Sequence, residues 1–184
     1  NIDKRNNPLY TTKGYFLKFL SKFAGFGGER EYQKVDLSTH VYFPLYKKSI
    51  FAIRLQNGKI WGWDDSKNTD YSYEKFYLGG STSMRAWDVL RFKENQGNPS
   101  GSLIRIMTNI ELRMSLYKNF GITFFTDGGL LEDNYKYISI DNMKWDAGAG
   151  ITIKTPLGPA RLDYAFQISE NYMGKIQLGV QSLF

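Results

Sequence analysis

The feature that most constrains this chain is a two-residue alternation of side-chain character, which is clearest over residues 102–117. Even positions from 104 to 116 carry apolar residues or threonine, whereas odd positions carry mainly charged, amide or hydroxyl residues, with Met107 among them. A helix would spread these residues around its circumference, but a strand places them on opposite faces. The segment therefore predicts a β-strand, and it exceeds the roughly 9–11 residues that a tilted strand needs to cross a bilayer.

The same alternation recurs along the chain and predicts about eight strands and no helix. The other predicted strands are 14–25, 34–43, 50–56, 120–127, 145–154, 161–168 and 176–184. Aromatic residues form 16% of the chain although its mean hydropathy is -0.42, and alternating apolar and polar faces account for both values. No apolar run reaches the length of about 18 residues that a transmembrane helix needs.

The connections between the predicted strands alternate in length. The short ones are 46–49, 117–119 and 155–159, and the long ones are 24–30, 57–101, 128–144 and 169–174. Bacterial transmembrane barrels sort their connections in this way, with the short turns in the periplasm, so both ends of the chain are predicted to be periplasmic. A single alternating strand would equally suit a soluble sheet, but a soluble β-sandwich has no reason to sort its loops. The predicted fold is an all-β, antiparallel transmembrane β-barrel.

Several functional classes lack their signatures in this sequence. There is no cysteine, which excludes disulfides and thiolate metal sites. The only histidine, His40, falls on the polar face of a predicted strand, and no Gly-x-Ser-x-Gly turn accompanies it. The net charge of +6 comes without a nucleic-acid-binding motif, and it is interpreted as a solvated surface or contact with anionic headgroups. We expect no catalytic residue, metal, cofactor or nucleic-acid partner.

The long connection 57–101 contains a lone arginine among small and apolar residues. Residues 79–87 spell Gly-Gly-Ser-Thr-Ser-Met-Arg-Ala-Trp, so that Gly79 and Gly80 form a hinge ahead of Arg85. Loops of this length are usually functional or disordered. The residues alone leave two interpretations open: a loop that folds back and docks, or an exposed loop with an incidental arginine.

This segment resembles the lumen-inserted loop of the BamA/TamA outer-membrane assembly superfamily, the bacterial surface antigen barrels. In that family a Gly-Gly pair precedes a (Val/Ile)-Arg-Gly-(Phe/Tyr) tetrad, which here consists of Met84, Arg85, Ala86 and Trp87. Because Ala86 replaces the usual glycine, we expect a negative φ at this position. The Arg-Ala-Trp combination resembles the TamA-like (TamL) branch of Bacteroidota-type bacteria.

Three further motifs follow in the order of this family. Phe125, Asp127 and Gly129 resemble its Phe-x-Asp-x-Gly strand. A segment over 155–163 resembles its penultimate hairpin, whose motif positions are Pro156, Gly158, Pro159, Arg161 and Asp163. The end of the chain, with Gly179 and Phe184, resembles an outer-membrane C-terminal strand signal.

The resemblance implies that 1–184 is the C-terminal part of a barrel domain, with 57–101 as the lumen-inserted loop. Three predicted strands precede the loop and five follow it, which matches the last eight strands of a sixteen-stranded barrel. The upstream strands and periplasmic POTRA domains are expected to lie outside this sequence, as part of a longer precursor. The resemblance also implies a salt bridge between Arg85 and Asp127, and a weakly paired seam at the last strand.

By the same resemblance, the chain is expected to serve in the bacterial outer membrane as part of a factor that inserts or transports proteins. It is not expected to be an enzyme. The implied partners are outer-membrane lipid and lipopolysaccharide, client outer-membrane proteins, and periplasmic or accessory subunits. Two alternatives stay open: a passive pore or two-partner secretion transporter, and a membrane anchor for a fused enzymatic domain.

Overall fold

The computed structural model describes residues 1–25, 31–62, 71–168 and 174–180, and strands dominate these ranges. The strands are β1 (Ile2–Asp3), β2 (Gly14–Ala24), β3 (Tyr32–Pro44), β4 (Ser49–Gly62), β5 (Glu94–Asn95), β6 (Asn98–Pro99), β7 (Ile104–Tyr117), β8 (Phe120–Glu132), β9 (Lys144–Thr155), β10 (Gly158–Gln167) and β11 (Gly174–Val180). The helical elements of the described residues are three single 3-10 turns, at Tyr46–Lys48, Tyr135–Tyr137 and Ile140–Asn142. In this part of the chain no helix has the length and apolarity that a membrane crossing requires.

Nine strands form one antiparallel sheet in the order β1-β2-β3-β4-β7-β8-β9-β10-β11, and β5 and β6 form a separate ribbon. Eight of the nine have 7 to 14 residues. Strands of soluble proteins average about 5–6 residues. The predicted all-β, antiparallel architecture is confirmed. Over the described residues, β1 and β11 are the two edges of this sheet.

The structure corrects the predicted start of the long loop at residue 57. Strand β4 does not end at Gln56 but continues to Gly62, and its pairing with β7 extends through Asn57 and Gly58. The Asn-Gly pair, which by itself indicates a turn, stays in the strand because Gly58 leaves room for an aromatic ring. A Cβ at Gly58 would lie 2.4 Å from Cζ of Phe76.

Strand β8 is likewise longer than predicted, because it continues past Asp127 through two glycines to Glu132. A Cβ at Gly128 would lie 2.6 Å from Cζ3 of Trp145. One at Gly129 would lie 2.8 Å from Sδ of Met84. These glycines accommodate packed side chains, so they do not end the strand.

The two faces of the large sheet differ in polarity, and the pattern is the reverse of that in a soluble protein, where the exposed face is polar and the buried face apolar. The outer face exposes apolar side chains, among them Tyr15, Phe19, Phe23, Leu55, Phe124, Ile151, Leu162, Tyr164, Ile176 and Leu178. The inner face buries polar and charged ones, among them His40, Arg54, Asn109, Glu111, Asp127, Asp146, Arg161, Asp163 and Gln167. An apolar outside and a polar inside are typical of transmembrane barrels.

Residues 71–102, called the inner loop below, pack against the inner face. The two ends of the inner loop are joined by Phe76 and Ser102, whose backbones exchange hydrogen bonds of 2.9 and 3.0 Å. Its buried side chains join strand residues in one apolar cluster that includes Tyr32, Ile60, Phe76, Leu78, Met84, Ala86, Trp87, Phe92, Met107, Phe125 and Leu131. The loop is therefore part of the core of the molecule.

Candidate functional site

The Gly-Gly hinge closes a compact turn in the inner loop. Gly79 and Gly80 have φ values of 116° and 91°, in the region that favours glycine. The N–H of Gly80 donates to the carbonyl oxygens of Met84 (3.1 Å) and Trp87 (2.9 Å). The Ser83 hydroxyl accepts from the Gly79 N–H at 2.8 Å. This turn presents residues 84–87 to the inner face of the sheet.

Arg85 lies at the centre of the site, and its side chain has no exposed surface. Its Nε and Nη2 donate to the two carboxylate oxygens of Asp127, at 2.8 and 2.7 Å. Its Nη1 donates to Oε1 of Glu111 at 2.7 Å. The guanidinium carbon lies 3.4 Å from the centroid of the Phe125 ring. The structure thus brings together Arg85, Asp127 and Phe125, and it adds Glu111, which the sequence analysis did not single out.

The charges around Arg85 form a larger buried network. Glu111 also accepts from Nε of Arg113 at 2.7 Å, and Nη1 of Arg161 lies 3.6 Å from its Oε1. Asp163 lies 3.6 Å from Nη1 of Arg85. Burial alone would lower the pKa of the Arg85 guanidinium, but the carboxylates of Asp127 and Glu111 outweigh it, so that this pKa lies above its usual value. Arg85 is therefore held permanently charged and oriented.

Side chains from five strands also hold the backbone of the inner loop. Residues 81–83 are held by Arg161, Arg54 and Asn109, which donate to the carbonyl oxygens of Ser81 (3.1 Å), Thr82 (2.7 Å) and Ser83 (2.8 Å). Residues 86 and 87 are held by Asp146, which accepts from the N–H of Ala86 (3.1 Å), and by Gln167 and Gln177, which donate to the carbonyl oxygens of Ala86 (3.1 Å) and Trp87 (3.2 Å). The loop is therefore fixed at its backbone as well as at Arg85.

The other members of the predicted tetrad are buried between the inner loop and the sheet. Met84 and Ala86 are fully buried, and Trp87 is nearly so. Ala86 is not among the residues with a positive φ, in line with the expectation from its replacing glycine. Gly129 lies under Met84, where a Cβ would leave too little space.

The predicted hairpin motif divides between two places. Pro156 lies in the turn between β9 and β10, and Gly158 and Pro159 begin β10. The Thr155 hydroxyl donates to the Gly158 carbonyl at 2.6 Å. Arg161 and Asp163 belong to the charged network around Arg85. Gly179, predicted as part of the C-terminal strand signal, lies beside Arg161, and a Cβ at Gly179 would lie 3.0 Å from Nη2 of Arg161. Phe184 lies outside the described residues.

The sequence analysis missed Arg54, Asn109, Glu111, Asp146 and Gln167. The available signal was their parity, because each is a polar residue on the inward-facing side of a predicted strand. Parity does not say which of many inward polar residues lie opposite the loop. In the described part of the chain, no group of three or more His, Cys, Asp or Glu residues is placed to hold a metal ion.

The comparison with known families agrees with this geometry. A family model described as the Omp85 superfamily domain matches residues 1–181. The chain belongs to the Omp85 superfamily. The resemblance to the BamA/TamA proteins is thereby confirmed, whereas the assignment to the TamA-like branch stays a prediction.

Named relatives of this Omp85 chain are distant in sequence. It is 22% identical over 212 residues to the outer membrane protein assembly factor BamA of Neisseria meningitidis serogroup B (strain ATCC BAA-335 / MC58), covering 95% of this chain and 26% of that protein. It is 26% identical over 202 residues to the sorting and assembly machinery component 50 homolog of Xenopus tropicalis, covering 98% of this chain and 40% of that protein. The chain therefore spans less than half of either relative.

A solved structure shares the fold. The crystal structure of BamA from Haemophilus ducreyi lacking POTRA domains 1-3 matches with a TM-score of 0.77 at 17% identity. The match covers 96% of this Omp85 chain and 39% of the other. The similarity supports the barrel-type architecture of the sheet.

Proposed function

We propose that this Omp85 chain is part of the outer-membrane barrel of a factor that inserts proteins into the outer membrane or transports them across it. The names of its relatives, an outer membrane protein assembly factor and a sorting and assembly machinery component, support this proposal. One structural observation carries it, namely that Arg85 holds the inner loop against the inner face through Asp127 and Glu111. We assign the chain no catalytic reaction.

In this proposal the site keeps the inner face of the barrel wall in one shape while an edge of the sheet receives a client strand. Over the described residues β11 pairs with β10. In the proposal, β11 is the last strand at a weakly paired seam, where a client strand could add to the sheet. Gly174 at the start of β11 and Gly179 near its end weaken the strand, since glycine contributes no side-chain packing. We infer that the inner loop supports this strand from within, while the strand edge exchanges partners.

The proposed environment follows from the two faces of the sheet. The apolar outer face suits outer-membrane lipid, with lipopolysaccharide on the side of the long loops, and the short turns would lie in the periplasm. Client outer-membrane proteins and periplasmic or accessory subunits would be the protein partners. Residues 1–184 would form the last eight strands of a larger barrel. The other strands of that barrel and the periplasmic domains would precede them in the full-length protein.

The test is a client-folding assay with the full-length protein that contains this chain, reconstituted in lipid vesicles. An urea-unfolded outer-membrane protein is added, and its folding rate is followed by its change in electrophoretic mobility. We expect the protein to accelerate client folding and Arg85→Ala to reduce that acceleration, whereas Arg91→Ala, on the exposed part of the loop, retains it. Equal activity of both variants would refute the role of Arg85, and a protein without effect on clients would refute the function.

A passive pore makes a different prediction, because a pore requires an open lumen. The inner loop occupies the inner face in this structure, which favours the assembly factor. Conductance across planar bilayers separates the two functions. A large steady conductance of the unmodified protein, together with no effect on client folding, would favour the pore or the two-partner secretion transporter.

A further inference from the structure

A cavity of about 480 Å³ lies on the inner face at the short-turn end of the sheet. Its walls come from three parts of the chain: the segment 9–12 ahead of β2, the turn between β3 and β4, and the adjoining ends of β7 to β10. Pockets for small ligands typically have volumes of about 300–1,000 Å³. The cavity is therefore large enough to hold a few side chains of a bound peptide.

One wall of this cavity is a turn that reaches across the sheet. The side chain of Asn7 accepts from the N–H groups of Leu9 (2.9 Å) and Tyr10 (3.0 Å), and the Thr11 hydroxyl donates to the Asn7 carbonyl at 2.6 Å. The hydroxyl of Tyr10 donates to the carbonyl of Thr155, at the far side of the sheet. The segment is thus folded by its own hydrogen bonds and fixed at its tip, so that the cavity is a built feature.

The charges that line the cavity all have one sign. Its four charged lining residues are Lys48, Arg113, Lys154 and Arg161, and no carboxylate is among the lining residues. Glu111 and Asp163 lie behind the wall. Arg85, Arg113 and Arg161 share Glu111, and Oδ2 of Asp163 lies 3.8 Å from Nη2 of Arg161. Lys154 makes no ion pair within the described ranges, and its Nζ lies 5.8 Å from the centroid of the Tyr10 ring. The excess of positive charge in the cavity therefore comes from Lys48 and Lys154.

Arg161 has unused hydrogen-bonding capacity, although its Nη2 donates to the Ser81 carbonyl and lies 3.8 Å from Asp163. Its side chain is 6% exposed, and its Nε and Nη1 make no hydrogen bond to any described residue. Leaving buried donors without acceptors is costly, so a buried guanidinium normally finds a partner for each nitrogen. A carboxylate in the cavity could accept hydrogen bonds from such a guanidinium, which suits carboxylates particularly well.

From this arrangement we propose that the cavity binds an acidic peptide segment, with a glutamate or aspartate side chain at Arg161 and Lys154. Apolar wall residues, among them Leu9, Leu45 and Ile50, suit apolar side chains next to the acidic one. The cavity lies on the face opposite the apolar outer face, so a lipid headgroup would have to leave the membrane to reach it. This site is separate from client addition at a strand edge and goes beyond the proposed function.

The test uses the full-length protein in detergent micelles and a fluorescein-labelled octapeptide in which glutamate and leucine alternate. The reference peptide carries glutamine in place of each glutamate. Fluorescence anisotropy should show binding of the glutamate peptide and little binding of the glutamine peptide. Lys154→Gln should weaken binding about fivefold, as expected for loss of one exposed charge contact. Lys154 is exposed, so this variant should fold, and its heat-modifiable mobility on gels checks that it does.

Lys118→Gln is the matched control, because Lys118 lies at the same end of the sheet and does not line the cavity. It should leave the affinity unchanged. The proposal would be overturned by equal binding of both peptides, or by equal weakening in both lysine variants, which would show only general charge attraction. Complete displacement of the glutamate peptide by phosphatidylglycerol vesicles would also overturn it, in favour of a lipid phosphate.

Discussion

At the scale of single residues, Arg85 satisfies several buried groups at once. Its guanidinium binds both oxygens of Asp127 and one of Glu111, and it lies against the ring of Phe125. Both carboxylates are fully buried or nearly so. When one partner of such a pair is removed, the remaining charge stays where water solvates it poorly. Much of the site's contribution to the stability of the folded protein therefore depends on the side chain of Arg85.

Arg85→Ala should lower the free energy of unfolding by roughly 3–5 kcal/mol, because Asp127 would be left buried without its cation, whereas Glu111 would keep Arg113. Arg85→Lys should have a free energy of unfolding between those of Arg85→Ala and the unmodified protein, since an ammonium keeps the charge but cannot bind both oxygens of Asp127 in a fork. Urea unfolding in lipid vesicles, followed by tryptophan fluorescence, measures both changes.

The control for this prediction is Arg91→Ala in the same loop. Arg91 forms an ion pair of 2.9 Å with Glu94, and both side chains are about two-fifths exposed. Exposed pairs contribute at most about 1 kcal/mol. If the two alanine variants lost equal stability, the buried pair would not be the element that holds the loop.

At the scale of elements, the hinge of the inner loop depends on backbone conformation and on close contact. A Cβ at Gly79 would lie 2.2 Å from the carbonyl oxygen of Asp88, whereas one at Gly97 would have no atom of the described residues within 4 Å. Both glycines have positive φ values, 116° and 76°. They therefore separate the effect of conformation from the effect of space.

Gly97→Ala should cost only the strain of a left-handed residue, roughly 1–2 kcal/mol. Gly79→Ala should cost clearly more, because the turn must open to relieve the contact with Asp88, and the loop should then become accessible to protease. Limited proteolysis and urea unfolding of the two variants provide the comparison. Equal protease resistance would show that the turn adapts without releasing the loop.

The inner loop is also bound to the edge strand β11. Gln177 donates to the Trp87 carbonyl, and Lys175 pairs with Asp88, so two consecutive inward side chains of β11 hold the loop. We expect Gln177→Ala to increase hydrogen exchange of the β11 amides, because the strand loses a contact on its inner side. Gln33→Ala is the control, since among the described residues Gln33 donates to the exposed Ser21 hydroxyl on a neighbouring strand and makes no contact with β11. Unchanged exchange in β11 would contradict this coupling.

At the scale of the whole molecule, the question is which solvent each face of the sheet meets. Leu162 lies at the middle of β10 on the outer face, and Leu157 lies at the turn before it, where they are 51% and 81% exposed. In a soluble protein, both positions would tolerate arginine. In a membrane barrel, the free-energy cost of an outward-facing arginine depends on its depth in the bilayer.

Leu162→Arg should therefore cost about 2–4 kcal/mol in lipid vesicles, the value for a charge near the bilayer midplane, whereas Leu157→Arg should cost about 0–1 kcal/mol. Folding titrations in urea with vesicles measure both. Near-equal stabilities of the two variants would contradict a lipid-facing outer surface.

Much of the fold could be predicted because alternation is a local property. Odd residues of β7 and β8, such as Asn109 and Asp127, face inward in the structure as their parity predicts. Strand ends were less predictable. Gly58, Gly128 and Gly129 indicate breaks when considered locally, yet each remains in a strand because the ring of Phe76, the ring of Trp145 or the Met84 side chain occupies the space of its missing Cβ.

The sequence by itself determined which side chains share a face, since successive side chains of a strand point to opposite faces of the sheet regardless of the neighbouring strands. Only the tertiary structure decided which inward residues meet. Glu111 contacts Arg85 because the register between β7 and β8 places it opposite Phe125, two residues from Asp127, and because the inner loop folds back to that level. Pairing across strands and loops depends on distances that no local pattern encodes.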